Sequence, residues 1–334
     1  MKLKHLLFLS TLLSLMACSD DSPATPDSPE TPEQPDITNS VEKLVTMDVS
    51  QTYQTIAGFG ASDCWAPSFV GKSWTSGRAG ITELLFSSEI VNGKPKGIGL
   101  SQWRVNLGGG SAQQGDASGI EDKSRRAESY LKDDLTLDWS RCEGQRYFMS
   151  RAKELGCDNF ILFSNTPPVQ YTYNGKGFSV QGASSNLKTE HYDDFAGYMT
   201  EVAAHYTGEG YNVTHISPVN EPQYNWDGGQ EGSGWTNDQV AKLVRELDAS
   251  LTASGLSTDI LLGESGDWEY LYKSKSDANR SNVINAFFRE GSSAYVGNLP
   301  HVKNLICGHS YWTDGTWDGM RNVRKQVAQA AGQY

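Results

Sequence analysis

An α/β fold, a (β/α)8 barrel present here as about six βα units, is predicted by three observations. Short apolar stretches alternate with amphipathic stretches of 3.6-residue spacing through residues 56–334, which is the pattern of parallel βα units. The apolar stretches fall near residues 58, 104, 162, 217, 261 and 305, at a spacing of roughly fifty residues that suits one unit each. No glycine-rich phosphate loop opens a helix: Gly108-Gly109-Gly110 lacks the spacing that would have to follow it, which argues against an open, doubly wound nucleotide-binding sheet. Six strands do not close a barrel of this kind, so two further units are expected outside these residues.

Before the barrel come three segments. Residues 1–17 read as a targeting signal, with a basic start at Met1–His5 and an apolar run from Leu6 to Met16 too short to span a bilayer. Leu15-Met16-Ala17-Cys18 resembles a bacterial lipobox, implying cleavage before Cys18 and lipid on that residue. Asp20-Asp21 behind it resembles the signal that sends some lipoproteins to the outer membrane surface, so the expected location is the outer membrane or cell surface of a Gram-negative bacterium. Residues 18–40 are rich in Pro, Asp, Glu, Ser and Thr and hold no aromatic residue. They cannot bury enough apolar surface to fold and are expected to form an extended tether.

Alternation of apolar and polar residues predicts short strands at Val45–Val49 and Tyr53–Phe59. A helix is expected over Gly77–Phe86, with Ile81, Leu84 and Leu85 on one face, and a strand over Ile98–Leu107. The helix Ser140–Leu155 ends at Gly156, a common C-terminal cap. Strand Asn159–Ser164 precedes helix His191–Tyr206, whose Phe195, Met199, Val202 and Tyr206 share a face. Strand 214–219 precedes helix Asp238–Ala253, with Val240, Leu243, Leu247 and Leu251 in a stripe and Gly255 after it. The last elements are strands Asp259–Gly263 and Lys303–Cys307 and a helix starting near Met320.

The charge is acidic, 40 Asp and Glu against 28 Lys and Arg, net −12. A basic stripe is missing, which excludes a nucleic-acid partner, and the balance suits a neutral substrate better than a polyanion. Cys64, Cys142, Cys157 and Cys307 are scattered, indicating neither a zinc site nor a disulfide framework, with room for one disulfide.

Chemistry concentrates at Pro218-Val219-Asn220-Glu221-Pro222. Pro222 has no N–H to give a ladder, so the strand stops there and presents the Glu221 carboxylate at its C-terminal tip. In a barrel of parallel strands that end is where active sites lie. Taken alone, the segment reads equally as a strand that ends in polar residues before a proline. Aromatic residues add to it. Six of the nine tryptophans (Trp65, Trp226, Trp235, Trp268, Trp312 and Trp317) follow predicted strands, as do Tyr171, Tyr173, Tyr224, Tyr270 and Tyr311. In a barrel these loops share one face, and flat rings among Asn, Asp, Gln and Ser suit sugars. About half of them are expected to pack loop bases instead.

Gly58-Phe59-Gly60-Ala61-Ser62, Ser164-Asn165-Thr166-Pro167-Pro168, Pro218–Pro222 and Gly308-His309-Ser310-Tyr311-Trp312, in that order, resemble glycoside hydrolase family 30, of the clan of retaining (β/α)8 glycosidases. The resemblance covers about residues 44 to 334 and looks nearest to bacterial and fungal endo-β-1,6-galactanases. It implies that residues 41–55 give a strand to a side β-sandwich and that residues 56–334 are a partial catalytic barrel. It implies Glu221 as acid/base, Asn220 on the sugar 2-hydroxyl, and a nucleophile on the seventh strand, which this chain is expected to lack. The 334 residues alone are then expected to be inactive.

Candidate substrate contacts at the strand ends are Asp63, Trp65, Asn165, Tyr224, Trp226, Trp235, Trp268, His309, Tyr311 and Trp312. Arg104, inside a strand, needs an acidic partner and is the candidate to hold a catalytic carboxylate ionised, or else to pair with a core acid. Glu264 ends the fifth strand and could touch substrate without being the nucleophile. Val169 stands where many members have tryptophan after the double proline, which points away from the glucosylceramide and xylan branches. The expected ligand is a polysaccharide or oligosaccharide, best a β-1,6-galactan. The alternatives are a β-1,6-glucan, or a surface glycan-binding lipoprotein without hydrolysis. Two carboxylates suffice for the reaction, so neither metal nor cofactor is expected, and membrane contact is expected through the lipid alone.

Overall fold

The computed structural model describes residue 46, residues 48–179 and residues 184–334. The chain separates into two units, Met1–Thr55 and Ile56–Tyr334. Cys18, the signal and the tether lie outside the described residues. The described part of the first unit is a turn in which the Asp48 carboxylate accepts hydrogen bonds from the Ser50 N–H and hydroxyl at 3.0 and 2.6 Å. No regular strand forms over residues 48–59.

The second unit is built on five parallel strands: β1 (Gly60–Ser62), β2 (Gln102–Asn106), β3 (Asn159–Phe163), β4 (Val213–Ser217) and β5 (Asp259–Ile260). Each pairs with the next in sequence, Gly60 opposite Gln102, Gln102 opposite Asn159, Phe163 opposite Ser217, and His215 opposite Asp259. This unbroken parallel order is that of an incomplete (β/α)8 barrel.

The predicted sixth strand is irregular. Residues 301–309 run beside β5 through single parallel bridges, Ile260 to Val302 and Ser265 to Gly308. The Cys307 N–H reaches the Leu262 carbonyl at 2.9 Å. Strand β5 is also shorter than predicted. Gly263 has a left-handed backbone, φ +113°, and any Cβ there would lie 2.2 Å from the Cys307 carbonyl oxygen. The two segments therefore approach too closely, and with the wrong twist, for a straight ladder.

Helices close the units: α1 (Ala66–Ser73), α2 (Arg78–Phe86), α3 (Glu143–Glu154), α4 (Tyr192–Gly208) and α5 (Asn237–Ser254). The helix α1 was not legible in the sequence. It crosses α3 at Gly71 and Gly144, where backbone meets backbone and a Cβ on Gly71 would stand 2.2 Å from the Gly144 carbonyl. Helix α3 starts three residues later than predicted because Asp138 captures the Ser140 N–H and hydroxyl at 3.0 and 2.6 Å, an Asx turn that competes with the helix. Helix α5 ends at left-handed Gly255, as its sequence predicts, and the structure adds a full capping box between Thr236 and Gln239.

Alternation along β2 sorts its side chains. Trp103 turns to the helices, 5.0 Å from the Phe86 ring and 6.1 Å from that of Phe148. Arg104 takes the opposite face, where its guanidinium lies over the Phe163 ring. The stripes predicted on α4 and α5 are buried as expected. A helix over Trp317–Ala331, α6, completes the unit, burying Val323 and Val327.

Candidate active site

Strands β4 and β5 place two glutamates side by side. Glu221 and Glu264 each follow the last strand residue by four, and both have left-handed backbones, φ +44° and +46°. Such conformations cost a non-glycine residue on the order of 1–3 kcal/mol and collect at functional sites. The Glu221 N–H donates to the Glu264 carbonyl at 2.9 Å, which locks the two tips together.

His309 lies between the carboxylates. Its Nδ1 is 2.6 Å from Glu221 Oε1 and its Nε2 is 2.7 Å from Glu264 Oε2. Glu264 is ionised and can only accept, so His309 Nε2 carries a proton, and the two glutamates together favour the imidazolium. Burial pushes the His309 imidazole down, but the hydrogen bonds and charges of Glu221 and Glu264 outweigh it and raise it to about 9. Glu264 behaves in the opposite sense. Burial pushes its carboxyl up, and the Arg104 and His309 charges overcome that and hold it at about 2. Arg104 closes the network, 3.0 Å from Glu264 Oε2 and donating to Asn220 Oδ1 at 2.8 Å. Two cations and two carboxylates thus share one small volume.

Above this network opens a cleft of about 780 Å³. Of the residues expected from sequence, Trp65, Arg104, Asn165, Asn220, Glu221, Tyr224, Trp226, His309, Tyr311 and Trp312 line it. The Tyr224 and Trp226 rings lie 4.9 Å apart, those of Tyr311 and Trp312 5.7 Å apart. The Trp312 ring is 74 % exposed, an unusual position for so large an apolar group.

A model of O-glycosyl hydrolase family 30 matches residues 42–334. The chain belongs to glycoside hydrolase family 30. An endo-β-1,6-galactanase of Hypocrea rufa is 25 % identical over 262 residues, which is 72 % of this chain and 53 % of that protein. The crystal structure of a conserved exported protein from Bacteroides fragilis is 32 % identical, superposes with a TM-score of 0.81, and covers 85 % of this chain and 59 % of its own. An endo-β-1,6-glucanase structure, at 16 % identity and TM-score 0.58, shares the fold over 84 % of this chain and 57 % of its own. The chain therefore spans about half the length of the curated relative it matches.

Three expected contacts are corrected by the family 30 barrel. Asp63 is buried, its carboxylate accepting from the Asn106 N–H at 2.9 Å and the Gln145 amide at 2.7 Å, so it ties β1 to α3 instead of facing the cleft. Burial pushes this carboxyl up to about 6, against those two hydrogen bonds. Trp235 is buried against Tyr192, ring centroids 6.3 Å apart, at the start of α5. Trp268 packs on the core under Arg324, 5.3 Å from its ring. The four later cysteines are free, so no disulfide forms among the described residues.

One group was underrated by sequence and one was missed. The share of Glu264 in the charge network was underrated, although a glutamate ending an apolar strand was a visible signal. Glu231 was missed. It is fully buried, and accepts from the Gly109 N–H at 2.8 Å and from the Ser111 N–H and hydroxyl at 3.0 and 2.5 Å. It clamps the loop after β2 to the loop after β4, and burial pushes its carboxyl up against those bonds. No local signal separates it from an ordinary surface glutamate.

Proposed function

We propose that the whole protein is a retaining endo-β-glycosidase whose best substrate is a β-1,6-galactan, with Glu221 as acid/base. The observation that carries this is the position of Glu221 at the tip of the fourth parallel strand, at the floor of an aromatic-walled cleft, beside Asn220. Asn220 Oδ1 is taken by Arg104, which leaves the amide NH2 to meet a sugar 2-hydroxyl. The proton held between His309 Nδ1 and Glu221 Oε1 passes through Glu221 to the departing glycosidic oxygen, and Glu221 then takes a proton from the incoming water. The partner carboxylate of a double displacement stands roughly 5 Å from the acid in retaining enzymes. Glu264 does not fit that part, because Arg104 and His309 already hold it. The nucleophile is assigned to a segment other than these 334 residues.

The test uses Glu221→Gln in the whole protein. Hydrolysis of natural linkages should fall by about 10²–10⁴-fold, the usual share of general acid help. Substrates with a good leaving group should still glycosylate the enzyme, and azide should restore turnover with retained anomeric configuration. An inverted azide product would instead make Glu221 the nucleophile and overturn the assignment. Assays on β-1,6-galactan and β-1,6-glucan side by side decide the sugar.

The engagement of Glu264 with two cations also supports a second reading, a glycan-binding protein that keeps the cleft without chemistry. Binding of β-glycans by a whole protein that never cleaves them would favour it. In either reading we propose lipid on Cys18 and attachment to the cell surface through it.

A further inference from the structure

We propose that Trp226 is a positioning residue: its indole, seated on Gly232, holds the backbone of Glu221 in the conformation that presents the carboxyl to the cleft. The inference deepens the reading of Glu221 as acid/base and rests on it. Trp226 lines the cleft and was expected to carry a sugar, but it is only 5 % exposed, whereas Tyr224 two residues before it is 49 % exposed. A ring so covered offers a sugar little of its face. Its polar handle is committed as well, because the Nε1–H donates to the Glu221 carbonyl at 3.2 Å. A buried indole usually finds such a partner. This partner is the backbone of the residue assigned to the chemistry.

That backbone is in a costly conformation. Glu221 has φ +44°, and a non-glycine residue keeps such a backbone only where its surroundings over-determine it. Here it is held from both ends. The Glu221 N–H donates to the Glu264 carbonyl at 2.9 Å, and the Glu221 carbonyl accepts from the Tyr224 N–H at 3.0 Å as well as from the indole. The indole is the side-chain member of this set, and its own place is fixed in turn. Gly232 lies against it so closely that a Cβ there would stand 2.1 Å from Trp226 Cδ2. The Gly232 N–H is tied to the Gly177 carbonyl at 2.9 Å. Beside Gly232, the buried Glu231 carboxylate accepts from the Gly109 and Ser111 N–H groups at 2.8 and 3.0 Å. Glu231, which no step of the reaction uses, thus fastens the seat of the indole to the loop after β2. The Tyr224 ring, 4.9 Å from that of Trp226 and inclined at 62°, leans on the same indole. The acid and the exposed ring beside it therefore share one support. Support matters here because a misplacement of about 1 Å at a reacting group can cost on the order of 10²-fold in rate.

Trp226→Phe and Gly232→Ala in the whole protein test this. Phe keeps a ring on Gly232 and removes the N–H; Ala at position 232 keeps the N–H and pushes the ring away. Trp226→Phe should lower kcat on a β-1,6-linked galacto-oligosaccharide by about three- to tenfold, the scale of one neutral hydrogen bond. Gly232→Ala should lower it at least as much, and KM should stay within about twofold of wild type in both. A substrate with a good leaving group needs little protonation. Its first step, followed as the leaving-group burst of a single turnover, should keep the wild-type rate in both variants, which a merely misfolded protein would not show. Wild-type kcat in both variants, or a raised KM with unchanged kcat, would overturn the positioning role and leave Trp226 as a wall for the sugar. An equal loss on both substrates would overturn it too, by reducing the indole to a prop of the fold. Glu221→Gln is run beside them. If it abolishes hydrolysis of the natural linkage while the other two variants act as wild type does, the functional reading stands and the positioning role alone falls. A whole protein that hydrolyses no β-glycan, or whose Glu221→Gln variant hydrolyses as wild type does, would remove the functional reading and this inference with it.

Discussion

His309 is an imidazolium because two carboxylates face its two nitrogens, and this fixes how the site responds to pH. A cation with a raised folded pKa stabilises fully below its unfolded value, near 6.5, and loses that contribution as pH rises through about 9. Replacing His309 with Gln should therefore cost about 1.5–3 kcal/mol at pH 6, the range for hydrogen bonds to charged groups. The gap to wild type should close by pH 10 in denaturant melts, and an equal gap at both pH values would contradict the imidazolium. Glu264 runs the other way. Its depressed carboxyl stabilises above the unfolded value near 4.5 and loses that contribution as pH falls through about 2. Arg104→Met should strand Glu264 as a buried carboxylate with one partner fewer, costing about 3–5 kcal/mol by equilibrium unfolding. A loss under 1 kcal/mol would show that His309 alone can hold it.

Elements meet at this site through backbone contacts as much as through side chains. Segment 301–309 is fastened to β5 and its tip by the Cys307 N–H on the Leu262 carbonyl and the His309 N–H on the Ser265 carbonyl, at 2.9 and 2.7 Å. Gly263 allows that approach. Gly263→Ala would place Cβ against the Cys307 carbonyl in a left-handed conformation, and should destabilise by roughly 1–3 kcal/mol. It should also move His309 off the carboxylates, which a downfield imidazolium proton in NMR would report by its loss. Retention of that resonance with wild-type stability would show that the two segments can part without harm.

At the scale of the whole molecule, an acidic chain carries an aromatic-walled cleft at one end of its parallel sheet. The proposed lipid on Cys18 and the tether of residues 18–40 would let this unit work at a membrane surface without inserting. Wild-type protein expressed in a Gram-negative host should sediment with membranes, and Cys18→Ser should appear in the soluble fraction. Continued sedimentation of the variant would remove the lipid anchor from the account.

The sequence by itself determined the parallel βα order, the buried faces of α4 and α5 and the end of the fourth strand before Pro222, because each rests on local rules; the face expected on α2 fails, since Leu84 is exposed. Apolar period, capping residues and a proline that stops a strand act within a few positions of one another. Which loop residues line the cleft was decided only by tertiary contacts. Trp226 and Trp235 stand nine residues apart after the same strand, yet Trp226 walls the cleft and Trp235 enters the core. Asp63 follows β1 as Glu221 follows β4, yet the Asn106 N–H and Gln145 amide draw it inside. The partners of His309 lie 88 and 45 residues away, and Glu231 holds its loop from 120 residues off. Such pairings depend on how the chain returns on itself, and no short window of sequence contains both partners.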